Sequence, residues 1–153
     1  MTKRLWRPPA GIKVKVCGAD SLAFVLDCYE LGVDAVGFHL WEREVKSKEH
    51  LIKLRLFADI LRRVPRDLSC VLVTDIDDST LLADVVCSIP FDTIQLHKHV
   101  EEEFLSTLVE QLRESRADVR VMGVVALGCV NPEVSIALAG RYATVCDALL
   151  MDT

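Results

Sequence analysis

Seven polar side chains fall where short β-branched runs of this chain give way to turns: Cys17, His39 with Arg43 just beyond it, Thr74, Gln95 with His97, and Asp152. A thiol is a base or nucleophile once it loses its proton. A carboxyl group in a poorly solvated site can stay protonated and act as an acid. An arginine fork suits a carboxylate or phosphate. Their types and spacing alone do not separate a site from background. Taken singly, each has an ordinary reading as well. A cysteine that ends an apolar strand is usually core, and a lone histidine is more often a satisfied polar residue than a ligand. His97 and His99, two apart, point to opposite faces if both lie in a strand, which argues against a shared metal. Glu101, Glu102 and Glu103 open a helix and read as solvated carboxylates at its positive end.

The elements that must hold these residues alternate along the whole chain. Strands are expected at 13–17, 34–39, 69–74, 92–97, 119–125 and 146–151, and helices near 20–31, 48–64, 79–88, 100–115 and 132–142. In the helical stretches apolar residues recur at three and four, as in Leu22, Val25, Leu26 and Tyr29. Asp20, Ser47 and Asp78 are expected to cap the helices that follow them. Asn131-Pro132-Glu133 offers a cap, a first-position proline and a first-turn carboxylate, and Gly32 is suited to end the first helix in the left-handed region. Alternating strands and helices predict a parallel sheet with right-handed crossovers. An open doubly wound sheet and a closed (β/α)8 barrel both fit. In either one the site lies at the C-terminal ends of the strands. No GxGxxG or GxxxxGK[ST] loop follows a strand, so a classical dinucleotide or P-loop site is unsupported.

Composition narrows the class. The 153 residues are 51% apolar, with 18 basic and 23 acidic side chains and a net charge of −5. That is one folded domain, and not one that neutralises nucleic-acid phosphates. The basic start has no apolar stretch behind it and no run is long enough to span a bilayer, so a cytoplasmic protein is expected. Cysteines 17, 28, 70, 87, 129 and 146 lie far apart without a CxxC or Cys/His pair, and read as reduced thiols, mostly buried, without disulfides or zinc.

Four short motifs occur in order: Val14-Lys15-Val16-Cys17-Gly18 at the first strand, Gly32-Val33-Asp34-Ala35-Val36-Gly37-Phe38 at the second, Gln95-Leu96-His97 at the fourth, and Leu149-Leu150-Met151-Asp152-Thr153 at the sixth. This series resembles the phosphoribosylanthranilate isomerases of tryptophan biosynthesis, whose pattern runs KICG, GADAxGF, QLHG and LLD[TS], and the resemblance covers the chain from residue 13 onward. It implies an incomplete (β/α)8 TIM-type barrel of about six units at 13–153 behind an N-terminal extension at 1–12. It also implies an Amadori rearrangement of N-(5′-phosphoribosyl)anthranilate, with no cofactor or metal. By motif match Cys17 is the base and Asp152 the acid. Arg43 holds the anthranilate carboxylate, and Gln95 and His97 belong to the substrate site.

The sequence also departs from the pattern. The loop Trp41-Glu42-Arg43-Glu44-Val45 lacks the serine and proline of SPRYVS, and its two glutamates would repel a carboxylate if they faced it. Lys98 replaces the glycine of QLHG. A barrel needs two further units, which in this family carry the phosphate-binding loops, so a chain ending at Thr153 is expected to show no turnover. Six units leave two strand edges open, which predicts a homo-oligomer or a complementing chain over them. Two other readings stand beside the isomerase: a relative that has lost catalysis and serves as a binding or assembly module, and another phosphosugar isomerase or epimerase.

Overall fold

The computed structural model describes residues 2–8, 11–47, 50–98, 100–116, 118–127 and 131–152. Cys129, His99 and Thr153, named above, lie outside these residues. The strands are β1 Lys15–Cys17, β2 Ala35–Leu40, β3 Ser69–Thr74, β4 Thr93–Leu96, β5 Arg120–Ala126 and β6 Ala148–Asp152. The helices are α1 Leu22–Glu30, α2 Glu42–Val45, α3 His50–Arg63, α4 Ser79–Ser88, α5 Glu102–Ser115 and α6 Pro132–Tyr142. All strands are parallel and pair in chain order, β1 to β6, in one sheet. The sheet curls into an incomplete (β/α)8 TIM-type barrel.

The period of two along each strand sorts its side chains between two layers. Val16, Val36, Phe38, Leu40, Leu72, Ile94, Leu96, Val121, Val125 and Leu149 face the helices and share the main core with Phe57, Leu82, Leu105 and Leu108. Phe38, Phe57 and Phe91 meet edge to face there, with centroids 5.2 to 6.1 Å apart. The alternate residues Ala35, Val71 and Val73 face the concave side, where Leu5 and Trp41 pack against them. Thr74 pairs with Leu40 and Leu96, so it lies on the helix side. It is buried there, and its hydroxyl accepts from Ile76 N–H. It is not a residue of the mouth.

Caps fix where the helices begin. Asp78 accepts from Leu81 N–H and Asn131 from Glu133 N–H, with Pro132 in the first turn, and Gly32 has φ 82°. The first helix is capped by Ser21 rather than Asp20, its hydroxyl accepting from Phe24 N–H at 3.3 Å. A cap must reach the second or third N–H of its helix, and the helix starts at Leu22, one residue later than the pattern suggested. Ser47 donates to Glu44 C=O; residues 48 and 49, which join it to α3, lie outside the described set.

The first residues lie across the N-terminal ends of the strands. Lys3 donates to Leu68 C=O and pairs with Asp92, Arg4 pairs with Asp67 at 2.9 Å, Leu5 N–H donates to Ser69 Oγ, and Trp6 Nε1 donates to Thr93 Oγ1. This strap floors the concave side from below. At the two ends of the sheet, β1 and β6 each have one strand neighbour among the described residues. Ile12 and Val14 are exposed beside β1, and Leu127, Val134, Ile136 and Met151 beside β6. A groove of about 450 Å³ runs under α6 there, lined by Val125, Ile136 and Met151 among others.

Candidate active site

Strand register stacks the concave face in rows. Cys17, Gly37, Val71, Thr93 and Arg120 form one row, and His39, Val73, Gln95, Met122 and Ala148 the next, nearer the C-terminal end. Ala126 and Asp152 pair at the upper end of β5 and β6. Cys17 and Asp152 thus end the first and last strands of the sheet, on its concave face. Gln95 lies two strands in from Cys17's neighbour β2, and Arg43 stands on α2, just after β2.

Each candidate has a distinct environment. Cys17 is exposed, against the expectation for a cysteine at the end of an apolar strand, and Lys15 Nζ lies 2.9 Å from its Sγ. A Cβ at position 37 would come within 2.8 Å of that sulfur and 3.2 Å of Val73 Cγ2, so glycine there is what gives the thiol its room. Cys87 is exposed as well, on α4, whereas Cys28, Cys70 and Cys146 differ. Cys28 and Cys70 are buried, and burial pushes the Cys70 thiol up to about 12 and Cys146 up to about 11. Thiols so raised carry little thiolate at neutral pH.

Sequence reasoning passed over Trp41. Its indole rests on the Val71–Val73 cluster. His39 stacks on it with centroids 5.1 Å apart and 23° between planes, and His97 tilts against it at 5.6 Å. Burial, followed by the positive charge of Lys15, lowers the pKa of His39 below the usual imidazole value. Gln95 is 3% exposed, and its Oε1 has no hydrogen-bond partner. A buried acceptor without a donor is rare and calls for an explanation, such as a ligand.

The two glutamates flanking Arg43 are engaged elsewhere. Glu42 pairs with Lys46 at 2.6 Å. Glu44 pairs with Lys53 at 2.6 Å and accepts from Trp41 N–H. Burial would raise the Glu44 carboxyl, but the Lys53 ammonium and the Trp41 N–H outweigh it and hold it below its ordinary value. The repulsion expected from the sequence is therefore largely offset. Arg43 is exposed and forms no ion pair among the described residues. Lys98 pairs with Asp77 at 2.9 Å, which ties the loop after β4 to the loop after β3. Among the described residues no three His, Cys, Asp or Glu side chains gather as metal ligands would. No helix among the described residues is long and apolar enough to cross a membrane.

No protein-family model matches the chain. It is 25% identical over 142 residues to the N-(5′-phosphoribosyl)anthranilate isomerase of Staphylococcus aureus strain bovine RF122 / ET3-1, covering 93% of this chain and 62% of that protein. Among solved structures, the phosphoribosyl anthranilate isomerase of Thermotoga maritima matches with a TM-score of 0.66 at 25% identity, over 94% of this chain and 63% of that one. A phosphoribosyl anthranilate isomerase in complex with reduced 1-(o-carboxyphenylamino)-1-deoxyribulose 5-phosphate matches with a TM-score of 0.67 at 26% identity, over 94% and 66%. The relatives and solved structures named above are thus phosphoribosylanthranilate isomerases, and the chain spans about three fifths of their length.

Proposed function

We propose that this chain carries the acid–base part of a phosphoribosylanthranilate isomerase site. The observation that supports it most is the pairing of ends: a thiol closes β1 and a carboxyl closes β6, both on the concave face, in a chain whose relatives bear that name. In this reading Asp152, exposed at the end of β6, gives a proton to the ribose ring oxygen, and the ring opens to a Schiff base. Cys17, whose sulfur accepts from Lys15, removes the proton from C2′. The resulting enolamine tautomerises to the ketone, and the protons are returned. One acid and one base on opposite sides of the sugar are what this rearrangement needs.

Arg43 serves as the clamp for the anthranilate carboxylate, through a charge-assisted pair. Its exposure, the absence of an ion pair to it among the described residues and the engagement of Glu42 and Glu44 with lysines support that role. Gln95 and His97 line the substrate site from β4. The substrate class is a phosphorylated small molecule, and the compartment proposed is the cytoplasm. A complementing segment or a second copy covers the open edges at β1 and β6.

The test is an activity assay on the chain fused, after Thr153, to the remaining length of its S. aureus relative. Consumption of phosphoribosylanthranilate is followed by its fluorescence. The fusion is expected to turn the substrate over. A folded fusion that binds the substrate and leaves it unchanged overturns the proposal.

A further inference from the structure

We propose that Trp41 is the specificity-determining residue of the mouth. Its indole, with the imidazoles of His39 and His97, seats the aryl ring of the substrate, while Gln95 Oε1 accepts from the N–H of the arylamine. This rests on the isomerase reading and names the groups that would recognise the aromatic half of its substrate.

Three observations carry it. First, the site presents aromatic faces in series: His39 at 5.1 Å and His97 at 5.6 Å from Trp41, the one on strand β2 and the other just after β4, with β3 between them. Trp41 and His39 are half-buried and His97 is exposed, so the group borders solvent at the C-terminal mouth. A planar ring gains from offset or edge contacts with such faces beyond what its burial supplies. Second, Gln95 lies two residues before His97 and its amide oxygen is buried with no donor. An acceptor left without a donor inside a protein costs stability. The complementary ligand group is an N–H joined to a ring seated one step above. Third, the backbone of Trp41 is fixed independently of its ring. Its N–H donates to Glu44, which is tied to Lys53, so the start of α2 holds the indole over Val73. In a secondary arylamine bearing an ortho carboxylate, the ring, the N–H and the carboxylate would meet Trp41, Gln95 and Arg43 respectively.

The probe is N-methylanthranilate, an arylamine with one N–H and an ortho carboxylate, added to the 153-residue chain. The chain has two tryptophans, so Trp6→Phe leaves Trp41 as the sole energy donor. Excitation of Trp41 is expected to give saturable sensitised emission from the bound arylamine. Trp41→Ala is expected to weaken binding at least tenfold, read from the probe's own emission, while Trp41→Phe retains most of it. N,N-dimethylanthranilate, which lacks the N–H, is expected to bind about tenfold more weakly than the monomethyl compound, and Gln95→Leu to abolish that difference. Binding unchanged in Trp41→Ala, or no sensitised emission at saturation in the Trp6→Phe chain, overturns the proposal. If the fusion turns over phosphoribosylanthranilate while Trp41→Ala leaves its KM unaltered, the seat is wrong and the isomerase reading stands. Sensitised emission from Trp41 with a fusion that is catalytically silent leaves the seat and removes the isomerase.

Discussion

At the residue scale the concave face depends on space and charge that neighbours supply. Gly37 has no Cβ because Cys17 Sγ would lie 2.8 Å from it. Gly37→Ala is therefore predicted to destabilise the chain by about 1–3 kcal/mol, as overpacking does, and to shift the thiol, both read by denaturant unfolding and by the rate of Cys17 alkylation. His39 has its pKa lowered by burial and by Lys15. The unfolded imidazole takes up a proton near its ordinary value of about 6.5, while the folded one does so only at lower pH. Its contribution is thus present above that value and lost as the pH falls through the folded one. His39→Gln is predicted to flatten the fall in stability between about pH 7 and pH 5; an unchanged slope would place the linkage elsewhere. Cys17 and Asp152 were singled out only through their motifs, since the type and position of Cys17 alone pointed to the core. Trp41 was not legible, because a large apolar residue before a charged loop gives no sign of where its ring will turn.

Among the elements, the loop that carries His97 is held by a residue distant in sequence. Tyr142, near the end of α6, accepts from Val100 N–H at 2.9 Å and donates to Val100 C=O at 2.7 Å. Tyr142→Phe leaves both backbone groups buried and unpaired, and is predicted to cost about 1–3 kcal/mol, with faster hydrogen exchange in the loop after β4. No loss of stability would mean that the loop is held by its other contacts. The alternation of strands and helices, and the caps at Asp78 and Asn131, followed from the residues themselves. Helix α2 did not, because four residues are too few to show a period. The misassigned cap at Asp20 is a boundary error of one residue, where Asp20 and Ser21 are both good caps and only the start at Leu22 decides between them.

For the whole molecule, the layer rule predicted one parallel sheet, and the motif order distinguished the barrel from the open sheet. The strap at residues 3–6 was not foreseen, because its contacts with Asp67, Ser69, Asp92 and Thr93 are far away in sequence. The apolar strip of Ile136 and Met151 at the β6 edge is 71% and 51% exposed. Such a patch beside a strand with one neighbour among the described residues invites association. Met151→Lys with Ile136→Lys is predicted to raise the monomer fraction of the 153-residue chain in size-exclusion chromatography, and an unchanged profile would assign self-association to another surface. The central claim is that the groups ending β1 and β6 act as one acid–base pair. Its most direct test is the turnover of phosphoribosylanthranilate by the fused chain with Cys17→Ala and, separately, Asp152→Asn. The account predicts that each variant binds substrate and loses about a hundredfold or more in kcat. A kcat unchanged in either folded variant would contradict it.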